Sequence, residues 1–296
     1  MRLPALQVTE GVDFVVAGLP YDTGSTYRVG ARFAPEAVRS ASVLLRPYNP
    51  ATGMMIGENG ETGLSGVDWG DAPVVPGNVE ETYGRIERFL DPLVGAGIVP
   101  VCLGGDHSVT LAELRVLARQ YGPLALAHLD AHSDLWDEYF GQRYTHGTWL
   151  RRALEEGLLS EGHVIQVGLR GPLYDREDAN MPLRMGVNPI GAAHLMAEGG
   201  RHVAAEILER VAGHPAFITI DLDFLDPAFA PGVGTPEVGG PSTAQALELI
   251  RGLAGAEIVG CDVVELAPPY DPAGITALAA ANLIYESISL IGRRRS

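Results

Sequence analysis

Histidine and aspartate residues concentrate in three short segments of the chain, and each segment directly follows an apolar run. The segments are 104–108 (Gly-Gly-Asp-His-Ser), 130–134 (Asp-Ala-His-Ser-Asp) and 221–223 (Asp-Leu-Asp). Residues two apart at the end of a strand point to the same side, so Asp221 and Asp223 can face one site. The same spacing relates Asp130, His132 and Asp134. Imidazoles and carboxylates that converge in this way are side chains that bind metal ions.

A buried group of carboxylates is unfavourable unless positive charge holds it together. Two divalent ions would balance the four aspartates of these segments. Two imidazoles and four carboxylates without a thiolate form a hard ligand set, which favours Mn(II), with Ni, Co and Fe as alternatives. Taken singly, an Asp-x-Asp is usually a solvated turn and a His on an apolar strand is usually a core residue. Three such segments together predict a dinuclear metal site.

The elements that must position these segments follow from the alternation along the chain. Short β-branched apolar runs alternate with helical stretches rich in Ala, Leu and Glu, which indicates βαβ units around a parallel sheet. Strands are predicted at 12–18, 98–103, 124–129, 164–168, 217–222 and 258–266. Helices are predicted at 35–45, 79–96, 108–121, 148–156, 201–211, 243–253 and 276–291. Ligands of an open parallel sheet collect at the carboxyl ends of its strands, where the three segments stand.

The composition predicts one large α/β domain over residues 1–296, because 46% of the residues are hydrophobic and no linker-like stretch interrupts the pattern. The apolar runs are of strand length or are broken by Gly and charges, so we expect no membrane span. Residues 1–4 form no apolar signal core. Cys102 and Cys261 lie in apolar strand runs, which predicts buried structural thiols and a reducing cytoplasm.

The charge of the chain argues against nucleic acid as a partner. The formal net charge is −16, whereas phosphate binding needs clustered positive charge. The basic run at 293–295 is a chain terminus and is interpreted as a solvated tail.

Together, the motifs resemble those of the ureohydrolase superfamily, which includes arginases, agmatinases and related amidinohydrolases. The resemblance rests on segments 104–108 and 130–134 and on the Asp-Leu-Asp-x-x-Asp-Pro run at 221–227. It extends over nearly the whole chain, through 18–22, 30–35, Arg39 and 68–71. It implies a three-layer α/β/α arginase-like fold with a central parallel β-sheet, and a homo-oligomer, either a trimer or a hexamer. Within the superfamily, the chain is most similar to the agmatinase-like amidinohydrolases.

The resemblance also implies a role for each of the six polar residues. His107 and Asp134 correspond to the ligands of a first metal ion, and His132 and Asp223 to those of a second. Asp130 and Asp221 correspond to the carboxylates that bridge the pair. The implied reaction is hydrolysis of a linear guanidino compound to urea and an amine, by water that the two ions activate.

Two further residues are predicted to act on the substrate. His146 opens a helix near the metal segments and is the candidate proton shuttle, because His titrates near neutrality. Without the family pattern it would be interpreted as a surface residue. Glu265 ends the last predicted strand and matches the family carboxylate that holds the guanidinium group, with a structural ion pair as the alternative.

The remaining histidines are predicted to have no catalytic role. His128 precedes the second segment on its strand and is predicted to be a buried core imidazole. Four others lie in predicted helices or loops with no acidic partner in register: His163, His194, His202 and His214.

The loop at 135–145 bears on the substrate. It lacks the Asn and Ser residues of arginases, so arginine is disfavoured. Four residues of the loop suit an amine tail such as that of agmatine, namely Trp136, Asp137, Glu138 and Tyr139. Arg143 or Arg170 suits a carboxylate tail such as that of 4-guanidinobutyrate. The acidic loop favours agmatine, which yields putrescine and urea. Hydrolysis of 4-guanidinobutyrate, 3-guanidinopropionate or guanidine is the alternative.

Two other classes of protein remain open from the sequence. A dinuclear phosphoesterase uses similar ligands, but it usually needs cationic groups that clamp phosphate. A non-catalytic ureohydrolase-like subunit has no physical reason to maintain a buried carboxylate cluster, and in this chain all six ligand positions are intact.

Overall fold

The computed structural model describes residues 3–57 and 63–291. The basic run at 293–295 lies outside the described residues. The strands are β1 Phe14–Gly18, β2 Tyr48–Asn49, β3 Met54–Ile56, β4 Gly63–Leu64, β5 Gly66–Asp71, β6 Val99–Leu103, β7 Leu124–Leu129, β8 Leu159–Leu169, β9 Asn188–Gly191, β10 Pro215–Asp221 and β11 Glu257–Val264. The α-helices are α1 Ala34–Ser42, α2 Val79–Gly95, α3 Thr110–Tyr121, α4 Trp149–Glu155, α5 Met181–Arg184, α6 Ala192–Glu198, α7 Gly200–Val211, α8 Thr243–Gly252 and α9 Ile275–Ile291.

A central sheet of eight strands, as far as the structure is described, has the order β5-β1-β6-β11-β10-β7-β8-β9. Every neighbouring pair in it is parallel. The small strands β2, β3 and β4 form a separate sheet. The strands β6, β11, β10 and β7 are therefore neighbours at the middle of the large sheet, and their carboxyl ends share one edge.

Helices cover both faces of the central sheet, which is the predicted three-layer α/β/α fold. Alternate residues of a strand enter different cores: Val16 packs in a core with α1, α7, α8 and α9, and Val15 packs in a core with α2, α3 and α4. Because both faces are covered, β1 and β7 are buried along their whole length. Cys102 and Cys261 are buried free thiols of β6 and β11, as predicted.

The six predicted strands and seven predicted helices are present, with ends that differ by a few residues. Five strands were not predicted: β5 and β9, which lie at the two edges of the central sheet, and β2, β3 and β4, which form the small sheet. The short helices α5 and α6 were not predicted either. The predicted start of helix 108–121 is two residues too early, since α3 begins at Thr110 after the 3-10 helix His107–Val109.

One helix among the described residues, Pro272–Ile291, is long and apolar enough to cross a membrane, which the sequence analysis did not expect. However, 72% of its apolar stretch is buried inside the protein. It packs against α1, α8 and β11, so its apolar surface belongs to the core of the fold.

Candidate metal centre

The carboxyl ends of the four middle strands bring the predicted site residues together. His107 follows β6 after the turn at 104–106, and Asp130 follows β7 directly. Asp221 is the last residue of β10, and Glu265 directly follows β11. All of these side chains are buried.

Three carboxylates surround one nitrogen of His107. Its Nδ1 atom lies 3.1 Å from Oδ2 of Asp130, and 3.2 Å from Oδ2 of both Asp134 and Asp221. On the other side of the ring, Nε2 and the hydroxyl of Thr219 are 2.9 Å apart in a hydrogen bond. Thr219 thus fixes the ring so that Nδ1 faces the carboxylates.

A second group forms around His132, and Asp130 belongs to both groups. His132 Nδ1 lies 3.0 Å from Oδ2 of Asp223 and 3.5 Å from Oδ1 of Asp130. The two oxygens of Asp130 therefore face different imidazoles, since its Oδ2 faces His107. A carboxylate in this position can join two ions.

The contacts of His107 fit a bound metal ion. Its buried Nδ1 makes no hydrogen bond with any described residue, although three carboxylate oxygens surround it. Ligand atoms bound to one divalent ion at about 2.1 Å lie about 3 Å apart at right angles, which matches the observed separations. The residues around His107 and those around His132 each form a candidate metal site.

Neighbouring side chains orient the carboxylates. Nε2 of the buried His128 is 2.7 Å from Oδ2 of Asp130, and the amide of Gln166 contacts the other ring nitrogen of His128. Trp149 donates from Nε1 to Asp134 over 2.7 Å and stacks on His107. His128 is buried as predicted, and in addition it holds a carboxylate of the centre.

The charges and the burial of the cluster shift the pKa values of its members. Burial lowers the pKa of His107, but the adjacent carboxylates outweigh it and hold the pKa well above its usual value. Burial, with repulsion from Asp223 and Asp130, raises the pKa of Asp221 well above its usual value. A cluster with these pKa shifts is one that bound cations would stabilise.

His146 and Glu265 form a hydrogen-bonded pair beside the carboxylates. His146 Nδ1 lies 2.9 Å from Oε1 of Glu265, and its Nε2 lies 2.7 Å from the hydroxyl of Thr26. Oε1 of Glu265 also accepts from the backbone of His107, whereas Oε2 is buried and has no hydrogen-bond partner among the described residues. The described residues therefore supply no partner for this oxygen.

Backbone strain marks two of these residues. Asp134 and Glu265 have φ angles of 52° and 65°, a left-handed conformation that is uncommon for residues other than Gly. Such strain persists only where the surrounding structure imposes it, and it clusters at active sites.

A cavity of about 320 Å³ opens above the cluster. Its residues come from four stretches of the chain, and they are Thr26, His132, Asp134, Trp136, Tyr139, His146, Gly147, Pro172, Leu173, Tyr174, Asp221, Thr235 and Glu237. The rings of Trp136, Tyr139 and Tyr174 contact one another and form one wall. A larger cavity, of about 430 Å³, lies between α1 and α9, away from the cluster.

Of the six residues predicted to meet the substrate tail, the structure brings Trp136 and Tyr139 into this cavity, whereas Glu138 is exposed outside it. Asp137 forms an ion pair with Arg152, and Arg143 one with Glu155. Arg170 donates to backbone carbonyls of 223–225 and 237–238, so its guanidinium group fastens two loops together.

Sequence reasoning missed Thr26 and Glu237. Thr26 lies far along the chain from the three motifs, and Glu237 lies ten residues after the run at 221–227. Nothing in the spacing of either residue indicates the cavity. Asp106 could have indicated the loop that contains Thr26. It belongs to segment 104–108 and accepts a hydrogen bond from the backbone N–H of Gly24 over 2.7 Å. The expectation for His194 and His202 is corrected as well, because both face Glu206.

A parallel α/β/α sheet with a carboxylate and imidazole cluster under a cavity is the arrangement of a metal-dependent hydrolase. The model of the Arginase family matches residues 12–289. The chain is 42% identical over 294 residues to guanidinobutyrase of Pseudomonas aeruginosa, which covers 98% of the chain and 91% of the relative. It is 40% identical to the mitochondrial agmatinase of Gallus gallus, with 98% and 84% covered.

Among solved structures, proclavaminate amidino hydrolase from Streptomyces clavuligerus superposes with a TM-score of 0.92 at 37% identity, with 99% of this chain and 96% of that chain covered. The chain belongs to the Arginase family, whose amidinohydrolases hydrolyse guanidino compounds. The predicted family and fold are thereby confirmed.

Proposed function

We propose that this chain hydrolyses a linear guanidino compound to urea and an amine, with agmatine as its preferred substrate. The observation that carries the proposal is the unpartnered Oε2 of Glu265, which is buried beside His146 and the metal cluster. A planar guanidinium group is the cation that suits a carboxylate in such a position.

We propose the ligand roles that the family pattern implies. His107 and Asp134 would hold one ion, His132 and Asp223 would hold the other, and Asp130 and Asp221 would be shared. The position of Asp130 between the two imidazoles supports this assignment. Mn(II) is the proposed metal because four of the six ligands are carboxylates, with Ni, Co and Fe as alternatives.

Two bound divalent ions would lower the pKa of a water molecule so that it attacks near neutral pH. The chain's own residues do the rest. Glu265 orients the guanidinium group through its free oxygen. His146, which lines the cavity, donates the proton that the leaving amine requires. Thr26 and Glu265 hold the two nitrogens of His146 and so fix the direction of that transfer.

The cavity favours an amine tail over a carboxylate tail. Among the described residues that line it, none is Arg, and Glu237 adds a carboxylate beyond those of the metal cluster. The wall formed by Trp136, Tyr139 and Tyr174 offers aromatic faces to a cation. The cationic end of agmatine is therefore better matched than the carboxylate of a guanidino acid.

The second candidate is a guanidino acid hydrolase. The similarity to a guanidinobutyrase at 42% identity and to a guanidinopropionase at 42% identity favours it. Arginine stays disfavoured because an amino acid substrate needs partners for both an ammonium and a carboxylate group.

The test is urea release by the Mn-loaded protein with agmatine, 4-guanidinobutyrate, 3-guanidinopropionate, guanidine and arginine. We expect the highest kcat/KM for agmatine. A higher value for 4-guanidinobutyrate would select the second candidate, and no urea from any of the five would overturn the proposed activity.

We further propose that residues 1–296 form a single cytoplasmic domain that assembles into trimers or hexamers. One sheet combines strands from residue 14 to residue 264, which supports a single domain. Light scattering on the purified chain tests the assembly.

A further inference from the structure

The four histidines outside the metal centre lie around α7 and the start of β8. His163 and His214 stack on each other, with ring centroids 3.7 Å apart. The other two, His194 and His202, both face the carboxylate of Glu206. This second group is independent of the centre described above.

Local geometry brings His194, His202 and Glu206 together. His202 and Glu206 are four residues apart on α7 and so share one face of the helix. His194 comes from α6, and Gly199, with a φ of 85°, turns the chain from α6 into α7. The two helices thus present their imidazoles to the same carboxylate.

One hydrogen bond, between His194 and Glu206, and one longer contact, between His202 and Glu206, hold the group together. Oε1 of Glu206 lies 2.7 Å from Nε2 of His194 and 3.7 Å from Nε2 of His202. The second separation is too long for a hydrogen bond. Nevertheless, one ligand atom from each of the three residues lies within 4.8 Å of the others. Two ligands at about 2.1 Å from one ion lie at most about 4.2 Å apart, so small rotations of these side chains would bring all three onto one cation.

We propose that His194, His202 and Glu206 form a second metal site on the surface, which binds a divalent ion of the Zn(II) or Ni(II) type. The set offers two imidazoles to a single ion, whereas the buried centre offers one imidazole for each of its two ions. More nitrogen per ion favours the later transition metals over Mn(II). The two sites of one chain therefore select different metals.

Exposure leaves the site open on its solvent side. The side chains of His194, His202 and Glu206 are 45%, 58% and 35% exposed. Water can complete the coordination of the ion, and an ion can enter without opening the fold. The neighbouring Arg201 is directed towards Glu248, at 3.9 Å, which moderates its repulsion of a cation.

A bound ion would link α6 to α7 across the turn at Gly199. Because the ligands adopt this arrangement only in the folded chain, the ion adds stability in proportion to the logarithm of its concentration. We expect the unfolding midpoint to rise with Zn(II) in the native protein.

The experiment is a Zn(II) titration of the Mn-loaded full-length protein by calorimetry, with bound Zn and Mn then measured by metal analysis. His194→Ala and His202→Ala are compared with the native chain and with His163→Ala, a matched control outside the group. We expect the native and control proteins to bind one more Zn per chain than the two variants, or to bind it at least tenfold more tightly. All four proteins should release urea at the same rate before Zn is added.

Exchange of Zn for Mn in the buried centre affects the four proteins equally, so the difference between them isolates the surface site. The proposal is overturned if the four proteins bind equal amounts of Zn with equal affinity. It is also overturned if Zn raises the unfolding midpoint of His194→Ala as much as that of the native chain.

Discussion

The contact between His146 and Glu265 determines the charge of the proposed proton donor. Burial opposes the charged imidazole, but Glu265 outweighs it and raises the pKa of His146 to about 9. In Glu265→Gln the attracting charge is absent, so the pKa of His146 falls. Because an acid acts only below its pKa, the alkaline limb of the kcat profile should move to lower pH. The same limb should stay in place in Glu138→Gln, an exposed control.

His146 itself is expected to move a proton and not to hold a metal. In His146→Ala we expect kcat for urea release to fall by about 10²- to 10⁴-fold, the usual contribution of a general acid. The metal content should equal that of the native chain, because the side chain of His146 contacts Glu265 and Thr26. Loss of metal from this variant, but not from His163→Ala, would show that His146 is a ligand.

Glu237 is expected to set the preference for the substrate tail. Among the described residues that line the cavity, Glu237 has the one carboxylate that does not belong to the metal cluster, and Glu237→Gln removes its charge. We expect KM for agmatine to rise about tenfold, equivalent to roughly 1.4 kcal/mol, and KM for tailless guanidine to stay unchanged. An equal effect on both substrates, or the same rise in Glu138→Gln, would contradict this role.

The sequence was sufficient to predict residues that lie at the ends of core strands, and insufficient for those in loops. Asp130 and Asp221 follow apolar runs whose burial is dictated by composition, so their edge of the sheet could be inferred. Thr26 and Glu237 reach the cavity only because Asp106 and Arg170 fasten their loops. Those contacts depend on tertiary structure, which local patterns do not encode.

At the scale of elements, the two strands of the central sheet that were not predicted, β5 and β9, are the ones at its edges. The sequence of β5 is Gly-Val-Asp-Trp-Gly-Asp, and β9 contains Pro189. An edge strand is paired on one side only and is less buried, so it needs fewer apolar residues than a central strand such as β7. Apolar runs therefore reveal central strands and conceal edge strands.

The turn after β6 illustrates how one element constrains the site. A Cβ atom on Gly105 would lie 1.7 Å from the backbone oxygen of Tyr21, which cannot move freely. We expect Gly105→Ala to lower the free energy of unfolding by about 1 to 3 kcal/mol and to displace His107, a proposed metal ligand. Denaturant unfolding and metal content measure the two effects.

Gly95 supplies the matched control for that substitution. It ends α2, and a Cβ atom there meets no described atom within 4 Å. Gly95→Ala should be neutral or stabilising by about 0.5 to 1 kcal/mol, because Ala restricts the unfolded chain. Equal stabilities of the two variants would mean that the turn accommodates a side chain.

At the scale of the whole molecule, the topology explains why the site is central. The strands β6, β11, β10 and β7 occupy the middle of the sheet and come from residues 99–264. Each contributes its polar residue at the carboxyl end, so packing of both cores fixes the relative positions of the ligands. The stability of the fold and the geometry of the metal centre are therefore coupled.

This coupling predicts that chelation destabilises the protein. Without cations, the buried carboxylates of Asp130, Asp134, Asp221 and Asp223 repel one another, which agrees with the raised pKa of Asp221. We expect excess EDTA to lower the melting temperature by at least about 5 °C, and Mn(II) to restore it.

The double substitution Asp221→Asn and Asp223→Asn removes two of the charges, so the melting temperature of this variant should respond less to EDTA. The melting temperature of Asp137→Asn, a change at an exposed residue, should respond like that of the native chain. An unchanged melting temperature of the native protein, with metal loss confirmed by analysis, would show that cations are not what stabilises this cluster.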